Sequence, residues 1–107
     1  MFEPVKGAWV YILECSDGSY YTGYTTDPER RFSEHNRGIG SRYTAARRPV
    51  VLLWTVHCRN RREAMSVERR IKALTRRRKE ELLNLNRISL GKMLADWRRK
   101  ERTSGRG

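Results

Sequence analysis

The sequence predicts a small α/β domain in which a three-stranded, antiparallel-type sheet is flanked by helices in the order β-β-α-β-α-α. Three segments rich in β-branched and aromatic residues, at 8–14, 20–24 and 50–58, indicate the strands. Capping residues and apolar side chains at helical spacing indicate the helices. A length of 107 residues suits one domain. We therefore expect a single domain over residues 1–100 and a polar basic tail over residues 101–107.

The first two strands predict a β-hairpin. Asp17 and Gly18 lie between them, and an Asp-Gly pair is typical of tight turns whose two central residues both need positive φ. The chain can therefore reverse within a few residues and place the second strand beside the first.

The first helix follows the hairpin and has two competing start signals. Asp27 can cap it with Pro28 at the first helical position, or Thr26 and Glu29 can form a capping box. Gly38 is positioned to end the helix.

The middle of the chain predicts a loop and then a strand. Residues 37–48 hold glycines and no apolar periodicity, so we expect a loop there. Pro49 opens the strand at residues 50–58, which is apolar enough for a central strand. The longest apolar run of the chain, residues 49–54, is far shorter than the ~20 residues of a membrane span. We therefore expect no membrane partner.

Helices dominate the rest of the sequence. Asn60 can cap a helix over residues 61–74, and Thr75 can cap another over residues 76–85. A fourth, short helix is predicted over residues 89–100, where apolar side chains share one face.

The charge is strongly positive and unevenly distributed. The net charge is +12 and the isoelectric point is near 10.7. Residues 1–60 carry 8 basic and 6 acidic side chains, whereas residues 61–107 carry 16 basic and 6 acidic ones. A field of this kind attracts polyanions, so the expected partner is nucleic acid.

The cysteines exclude two further classes of protein. Cys15 and Cys58 form no CxxC pair and have no standard zinc-site spacing with the two histidines. We therefore expect neither a disulfide scaffold nor a zinc module, but two reduced, buried cysteines in a cytoplasmic protein.

Five polar side chains on otherwise apolar elements are candidates for chemistry: Tyr11, Tyr21, Arg31, His35 and Glu68. The two tyrosines share a face of the hairpin, and buried tyrosines usually pack their rings and hydrogen-bond their hydroxyls for structural reasons. Arg31 and His35 are four residues apart, a spacing that is also typical of a solvated helix face. Glu68 flanks an apolar helix stripe, and Lys72 one turn later is the alternative, structural partner for it.

Taken together, these positions resemble the GIY-YIG endonuclease superfamily. Tyr11 matches the tyrosine of the first half-motif, and Tyr21 with Gly23 matches the second. Arg31 and His35 match the helix that follows. The likeness covers residues 10–74 and is nearest to the small single-domain bacterial members, which are similar to the nuclease module of structure-specific junction endonucleases.

The sequence also departs from the family pattern. Trp9 replaces the glycine of the first half-motif and Thr22 replaces the isoleucine of the second. Neither position supplies catalytic atoms in the family, so packing is affected more than chemistry. The asparagine that some members carry near the end of the domain matches either Asn84 or Asn86.

The resemblance implies a metal-dependent endonuclease that hydrolyses phosphodiester bonds in DNA, directed by structure rather than by sequence, with DNA repair as its setting. Glu68 would hold one Mg²⁺ or Mn²⁺ ion, and Arg31 would bind the phosphate. Tyr11 would be the general base, although its ordinary pKa of about 10 must then be lowered by the site. His35 is the competing base, and Tyr21 would orient water or phosphate.

Two other functions remain open at this stage. One is a catalytically weak module on the same fold that binds DNA or structured RNA. The other is a basic ribosome-associated or scaffolding protein, which would have no use for Glu68. Both as an endonuclease and as a binding module, the protein could have a protein partner. In both cases one basic cluster would contact backbone phosphates: Arg69, Arg70, Lys72, Arg76, Arg77, Arg78 and Lys79.

Overall fold

Three antiparallel strands form one sheet in the order β2-β1-β3 in a computed structural model that describes residues 7–85. The strands are β1 (Ala8–Glu14), β2 (Tyr20–Thr25) and β3 (Val51–Cys58). The predicted α/β class and its flanking helices are confirmed. The helix predicted at residues 89–100 and the tail lie outside the described residues.

The chain divides into two compact units at Leu74 and Thr75. The sheet and its helices belong to the first unit, whereas the last described helix belongs to the second. The single domain expected over residues 1–100 stays a prediction. Within residues 7–85, none of the helices has both the length and the apolar character needed to cross a membrane.

The central strand is β1, so the prediction of a central β3 is wrong. β1 pairs with β2 on one side and with β3 on the other. β3 exposes Val51 and Leu53 and buries Trp54 and Cys58. The apolar composition of a strand indicates how its two faces are covered, but not how many strands it pairs with. For this reason it did not predict the position of β3 in the sheet.

The hairpin turn uses Gly18 alone in the left-handed region. Its φ is +83°, while no residue other than glycine has positive φ in the described chain. Asp17 acts instead through its side chain, whose Oδ1 accepts hydrogen bonds from the Ser19 N–H at 3.0 Å and hydroxyl at 2.6 Å. The turn is therefore confirmed, but not the positive φ expected at Asp17.

The first helix, α1 (Pro28–Asn36), begins with the Asp27 cap rather than the capping box. The Asp27 carboxylate accepts from the Arg30 N–H at 3.2 Å. Gly38 follows the helix with φ +83°, as predicted.

A short helix, α2 (Arg42–Ala45), replaces part of the predicted loop. The Ser41 hydroxyl caps it by accepting from the Thr44 N–H at 3.1 Å. One helical turn is too short to produce an apolar period, so the cap was the only sequence signal for it.

The long helix α3 (Arg61–Lys72) packs against all three strands. Asn60 caps it by accepting from the Glu63 N–H at 2.9 Å. Its buried apolar side chains are Ala64, Val67 and Ile71, the stripe that helical spacing predicts.

The second unit contributes α4 (Arg76–Leu83), which Thr75 caps as predicted. Both α3 and α4 end two residues before their predicted ends, which is the usual uncertainty at helix termini.

Candidate active site

The centre of the site is a hydrogen bond between Tyr11 and His35. Tyr11 extends from the central strand and is 3% exposed, while His35 lies in the last turn of α1 and is 0% exposed. The Tyr11 hydroxyl lies 2.8 Å from His35 Nε2. The alternative prediction, that His35 lies on a solvated helix face, is therefore wrong. Its ring points inward because α1 packs this side on the sheet.

A second buried hydrogen bond holds the other side of the imidazole. His35 Nδ1 lies 2.7 Å from Thr44 Oγ1, and Thr44 is 0% exposed. Thr44 Oγ1 is in turn 2.8 Å from Ser41 Oγ and 3.4 Å from the Ser41 carbonyl oxygen. A chain of polar groups therefore runs from α2 through His35 to the phenol of Tyr11.

The protonation of this chain is set mainly by burial. Burial, and then the charge of Arg31, lowers the pKa of His35, so its imidazole is neutral near pH 7. Burial also raises the pKa of Tyr11 to about 12, against an opposing hydrogen bond from Arg31. The expectation that the site lowers the Tyr11 pKa is therefore wrong for the protein alone.

Arg31 is held beside the phenol by two acceptors. Its Nη1 donates to Glu34 Oε1 at 3.2 Å and its Nη2 donates to the Gly40 carbonyl at 3.0 Å. Both bonds fix the direction of the guanidinium plane while the side chain stays partly exposed. A rigid, partly accessible guanidinium suits a phosphate oxygen.

Two glycines make room for the central pair. Gly23 stands opposite Tyr11 in the β1–β2 register, and a Cβ there would collide with the Tyr11 hydroxyl. A Cβ on Gly40 would collide with the imidazole of His35. Neither glycine has positive φ. These two positions therefore need glycine to leave space for Tyr11 and His35, and not because of their backbone conformation.

Tyr21 packs its ring against the same pair and extends the site towards solvent. Its centroid lies 5.1 Å from that of His35 and 6.4 Å from that of Tyr11. Tyr43 stacks on Tyr21 at 6.0 Å, and the Arg47 guanidinium lies 3.8 Å above the Tyr43 ring. The shared face predicted for the two tyrosines is thus confirmed, and both join the site.

Glu68 lies on α3 with its side chain 18% exposed, and its Oε1 is 3.3 Å from Lys72 Nζ. Its charge contributes to the raised pKa of Tyr11, after burial and Tyr21, so it acts on the phenol electrostatically. Within residues 7–85, no cluster of three His, Cys, Asp or Glu could hold a metal ion. One carboxylate still fits Mg²⁺, which keeps most of its waters and takes few protein ligands.

The predicted phosphate-contacting cluster spans two helices. On α3, Arg69 is exposed and Arg70 is half-buried. On α4, Arg76, Arg77 and Arg78 form exposed ion pairs with Glu80 and Glu81 at 3.2 to 3.7 Å. Asn84 is the exposed C-cap of α4, and Asn86 lies outside the described residues. The role of the whole cluster stays a prediction.

Several residues of the site were not predicted: Gly40, Ser41, Tyr43, Thr44 and Arg47. All of them lie in the segment expected to be a loop. The available signal was the glycines and hydroxyl-bearing side chains within residues 38–44, which allow close approach and capping. Nothing in the spacing indicated that Thr44 would meet His35.

Comparison with known proteins gives a consistent picture. The model of the GIY-YIG catalytic domain family matches residues 7–81. A UPF0213 protein of Halobacterium salinarum is 56% identical over 73 residues, which cover 68% of this chain and 95% of that protein. A UPF0213 protein of Enterococcus faecalis is 49% identical over 83 residues, covering 76% of this chain and 94% of that protein.

Two solution NMR structures are also similar, each with 49% sequence identity. The UPF0213 protein of Bacillus halodurans has a TM-score of 0.50 and covers 74% of this chain and 84% of its own. A protein of E. faecalis has a TM-score of 0.53 and covers 77% of this chain and 88% of its own. With the family model covering most of the chain, including all five candidate residues, this protein belongs to the GIY-YIG family, and its close homologues are the UPF0213 proteins.

Proposed function

We propose that this protein is a metal-dependent endonuclease that hydrolyses phosphodiester bonds in DNA and recognises the structure of its substrate rather than its sequence. The buried chain from Thr44 through His35 to Tyr11, beside the guanidinium of Arg31, carries this proposal. Burying three polar side chains in a small domain costs free energy unless each is paired. A module that only binds nucleic acid has no need of such a buried polar chain.

The two candidate bases act as one unit in this mechanism. A phenol with a pKa of about 12 is ionised in only about one molecule in 10⁵ at pH 7. The Tyr11 oxygen therefore takes a proton from the attacking water as its own proton moves to His35 Nε2. The imidazole can accept that proton because it is neutral, and it becomes imidazolium until the proton returns to solvent.

Thr44 selects the tautomer that this transfer needs. Its hydroxyl can donate to Ser41 and accept from His35 Nδ1–H, which leaves Nε2 free to accept from Tyr11. Tyr21 packs on the imidazole and limits the rotation of its ring, and its hydroxyl is proposed to orient water or phosphate.

The phosphate is bound by Arg31 and the metal by Glu68. The guanidinium is preoriented by Glu34 and Gly40 and needs little reorganisation as charge develops on the phosphate. Glu68 would hold Mg²⁺ or Mn²⁺ through its free oxygen or after release of Lys72. A divalent cation bound there supplies Lewis-acid stabilisation of the phosphate and of the leaving oxygen.

Two observations favour a second function, nucleic-acid binding with weak or no catalysis. The Tyr11 pKa is raised rather than lowered, and Lys72 already neutralises Glu68. Such a module would bind DNA or structured RNA. In both cases nucleic acid is the partner, and the two free, buried cysteines agree with a proposed cytoplasmic setting.

Cleavage of a panel of labelled DNAs separates these functions. Duplex, single-stranded, flap and branched substrates are incubated with the full chain, with and without Mg²⁺ or Mn²⁺. We expect metal-dependent cleavage of flap or branched DNA that is lost in Tyr11→Phe and Glu68→Gln. Glu68→Gln should still bind DNA, because it removes a negative charge near phosphate. Binding without cleavage under every condition would overturn the nuclease in favour of the binding module.

A further inference from the structure

A polar cleft opens beside Arg31, and the residues that line it do not include Tyr11, His35 or Thr44. It encloses about 380 Å³ between the end of β2, the start of α1 and the first residue of α3. Arg30, Arg31 and Arg61 line it together with Asp27 and Glu34. Three guanidinium groups from two helices therefore face one cavity of ligand size.

The carboxylates of the cleft are already engaged within the protein. Asp27 accepts from the backbone N–H of Arg30 at 3.2 Å as the cap of α1. Glu34 pairs with Arg31 at 3.2 Å and with Arg30 at 3.5 Å. These two acids orient the cations around them and leave the cleft with an excess of positive charge.

Arg61 is the cation of this cleft that has no counterion. Across residues 7–85 it forms no ion pair, although it is the first residue of α3 and lies next to the Asn60 cap. Arginines at such a position gain from an anionic ligand, because the planar guanidinium can donate two parallel hydrogen bonds to it. The chemistry therefore favours a phosphate group.

Arg31 belongs both to this cleft and to the site of Tyr11. A nucleic acid strand carries phosphates at regular, short intervals, so a strand with one phosphate on Arg31 must place a neighbouring phosphate close by. Arg61 and Arg30 line the same cleft as Arg31 and can therefore receive that second phosphate.

We propose that this cleft is a subsite for the backbone phosphate next to the one that is cleaved, with Arg61 as its principal ligand and Arg30 as its second. The assignment of the neighbouring phosphate rests on the proposed function, because that function places the reacting phosphate at Arg31. Arg61 and Arg30 lie outside the basic cluster that the sequence predicted at residues 69–79.

The test compares Arg61→Ala with Arg62→Ala. Both arginines are exposed residues of the first turn of α3, both substitutions change the net charge equally, and only Arg61 lines the cleft. Fluorescence anisotropy measures the affinity for a labelled 20-nucleotide strand and a branched DNA in EDTA, over a range of NaCl concentrations. Circular dichroism and thermal unfolding confirm that each variant is folded.

We expect Arg61→Ala to weaken binding about five- to tenfold at 0.1 M salt. It should also reduce the slope of log affinity against log salt by about 0.7 for the single strand and about 0.9 for a duplex arm of the branched DNA. Arg61→Lys should keep the slope, and Arg62→Ala should weaken binding less than about twofold. Equal losses for Arg61→Ala and Arg62→Ala would overturn the subsite, because general charge would then explain both.

A free nucleotide is the other source of the same phosphate chemistry, and thymidine 5′-monophosphate tests it at matched ionic strength. If the nucleotide binds as tightly as the strand and is equally weakened by Arg61→Ala, the strand subsite is wrong. The binding measurements contain no metal and no cleavage step. Absence of cleavage by the wild-type chain in the substrate panel would therefore refute the proposed function, and with it the cleavage of the phosphate at Arg31, but not the binding of a strand phosphate in the cleft. Equal effects of the two alanine variants would refute the subsite alone.

Discussion

Tyr11 and His35 depend on each other for stability and, in the proposed mechanism, for chemistry as well. Their hydrogen bond is buried, and each lies on a different element, so removing either side chain leaves a polar atom of the other without its partner. A buried unsatisfied group costs about 1–3 kcal/mol. Effects on cleavage therefore have to be separated from effects on folding at these two positions.

The first prediction concerns this pair. Tyr11→Phe keeps the ring in the sheet but removes the hydroxyl that receives the water proton, so the single-turnover rate should fall by about 10² or more. His35→Ala should cause a comparable loss, because it removes the acceptor of the same proton. The rates are measured with saturating metal and DNA, with circular dichroism as the control. An active, folded Tyr11→Phe would show that His35 is the base by itself.

Thr44 permits a sharper test because its hydroxyl bonds the imidazole and Ser41 but takes no part in the proposed proton transfer itself. Thr44→Val keeps the shape and removes the hydroxyl that fixes the tautomer, whereas Thr44→Ser keeps the hydroxyl. We expect Thr44→Val to lower the rate about tenfold or more and to change its pH profile, with Thr44→Ser close to wild type. A purely structural role would lower the unfolding temperature of Thr44→Val but would leave the pH profile of the folded enzyme in place.

The stability of the fold should fall in mild acid because of His35. Burial lowers its pKa in the folded state, so the neutral form is favoured by folding. This contribution is complete above the unfolded-state pKa of about 6.5 and is lost as pH falls through that value towards the folded-state pKa. Urea unfolding between pH 4 and 8 measures it. A His35→Gln variant with the same slope as wild type would assign the acid sensitivity to other groups.

At the scale of the elements, the β1–β2 register and the short helix α2 assemble the site from opposite sides. The register sets Gly23 against Tyr11, and α2 presents Thr44 to His35. Arg47 ties the segment after α2 to the hairpin turn through Asp17 at 3.1 Å, and the Ser16 N–H donates to the Arg47 carbonyl at 2.9 Å. Two elements that are distant in sequence are thereby held around one imidazole.

Gly23→Ala tests the register directly. The added Cβ collides with the Tyr11 hydroxyl, which must shift away from His35. We expect a loss of about 1–3 kcal/mol in unfolding free energy together with a large loss of cleavage. Gly18→Ala is the matched control, because its Cβ enters open space and only its φ of +83° is strained. Full cleavage by a folded Gly23→Ala would mean that the Tyr11 hydroxyl need not stay in place.

At the scale of the whole molecule, the net charge of +12 attracts polyanions, of which nucleic acid is the proposed partner. The positive charge is concentrated after residue 60, but Arg76, Arg77 and Arg78 are paired with glutamates. Exposed pairs of this kind are weak, at about 0–1 kcal/mol, so a phosphate can replace the glutamate.

Neutralising Arg76, Arg77 and Arg78 together should weaken binding to every DNA sequence about equally. The slope of log affinity against log salt should fall by up to ~3 if all three contact phosphates. Anisotropy titrations over NaCl concentration measure the slope. An unchanged slope would place this cluster away from the nucleic acid.

Local signals predicted most of the fold. The hairpin, the caps Asp27, Asn60 and Thr75, and the apolar stripe of α3 all depend on residues within a few positions of one another, and the structure confirms each of them. The five candidate residues were likewise recognised from their types, spacing and resemblance to a family. What they do in catalysis stays a prediction.

The tertiary structure decided what depends on distant neighbours. Which strand is central follows from pairing across the sheet, and the composition of β3 carries no information about it. The burial of His35 depends on α1 docking on the sheet, and its second partner, Thr44, comes from a helix too short to leave an apolar period. The sequence by itself thus determined the strands, the longer helices and the candidate residues. Only packing between elements determined that Tyr11, His35 and Thr44 form one buried chain, because hydrogen bonds between distant residues require a folded core to bring them within 3 Å.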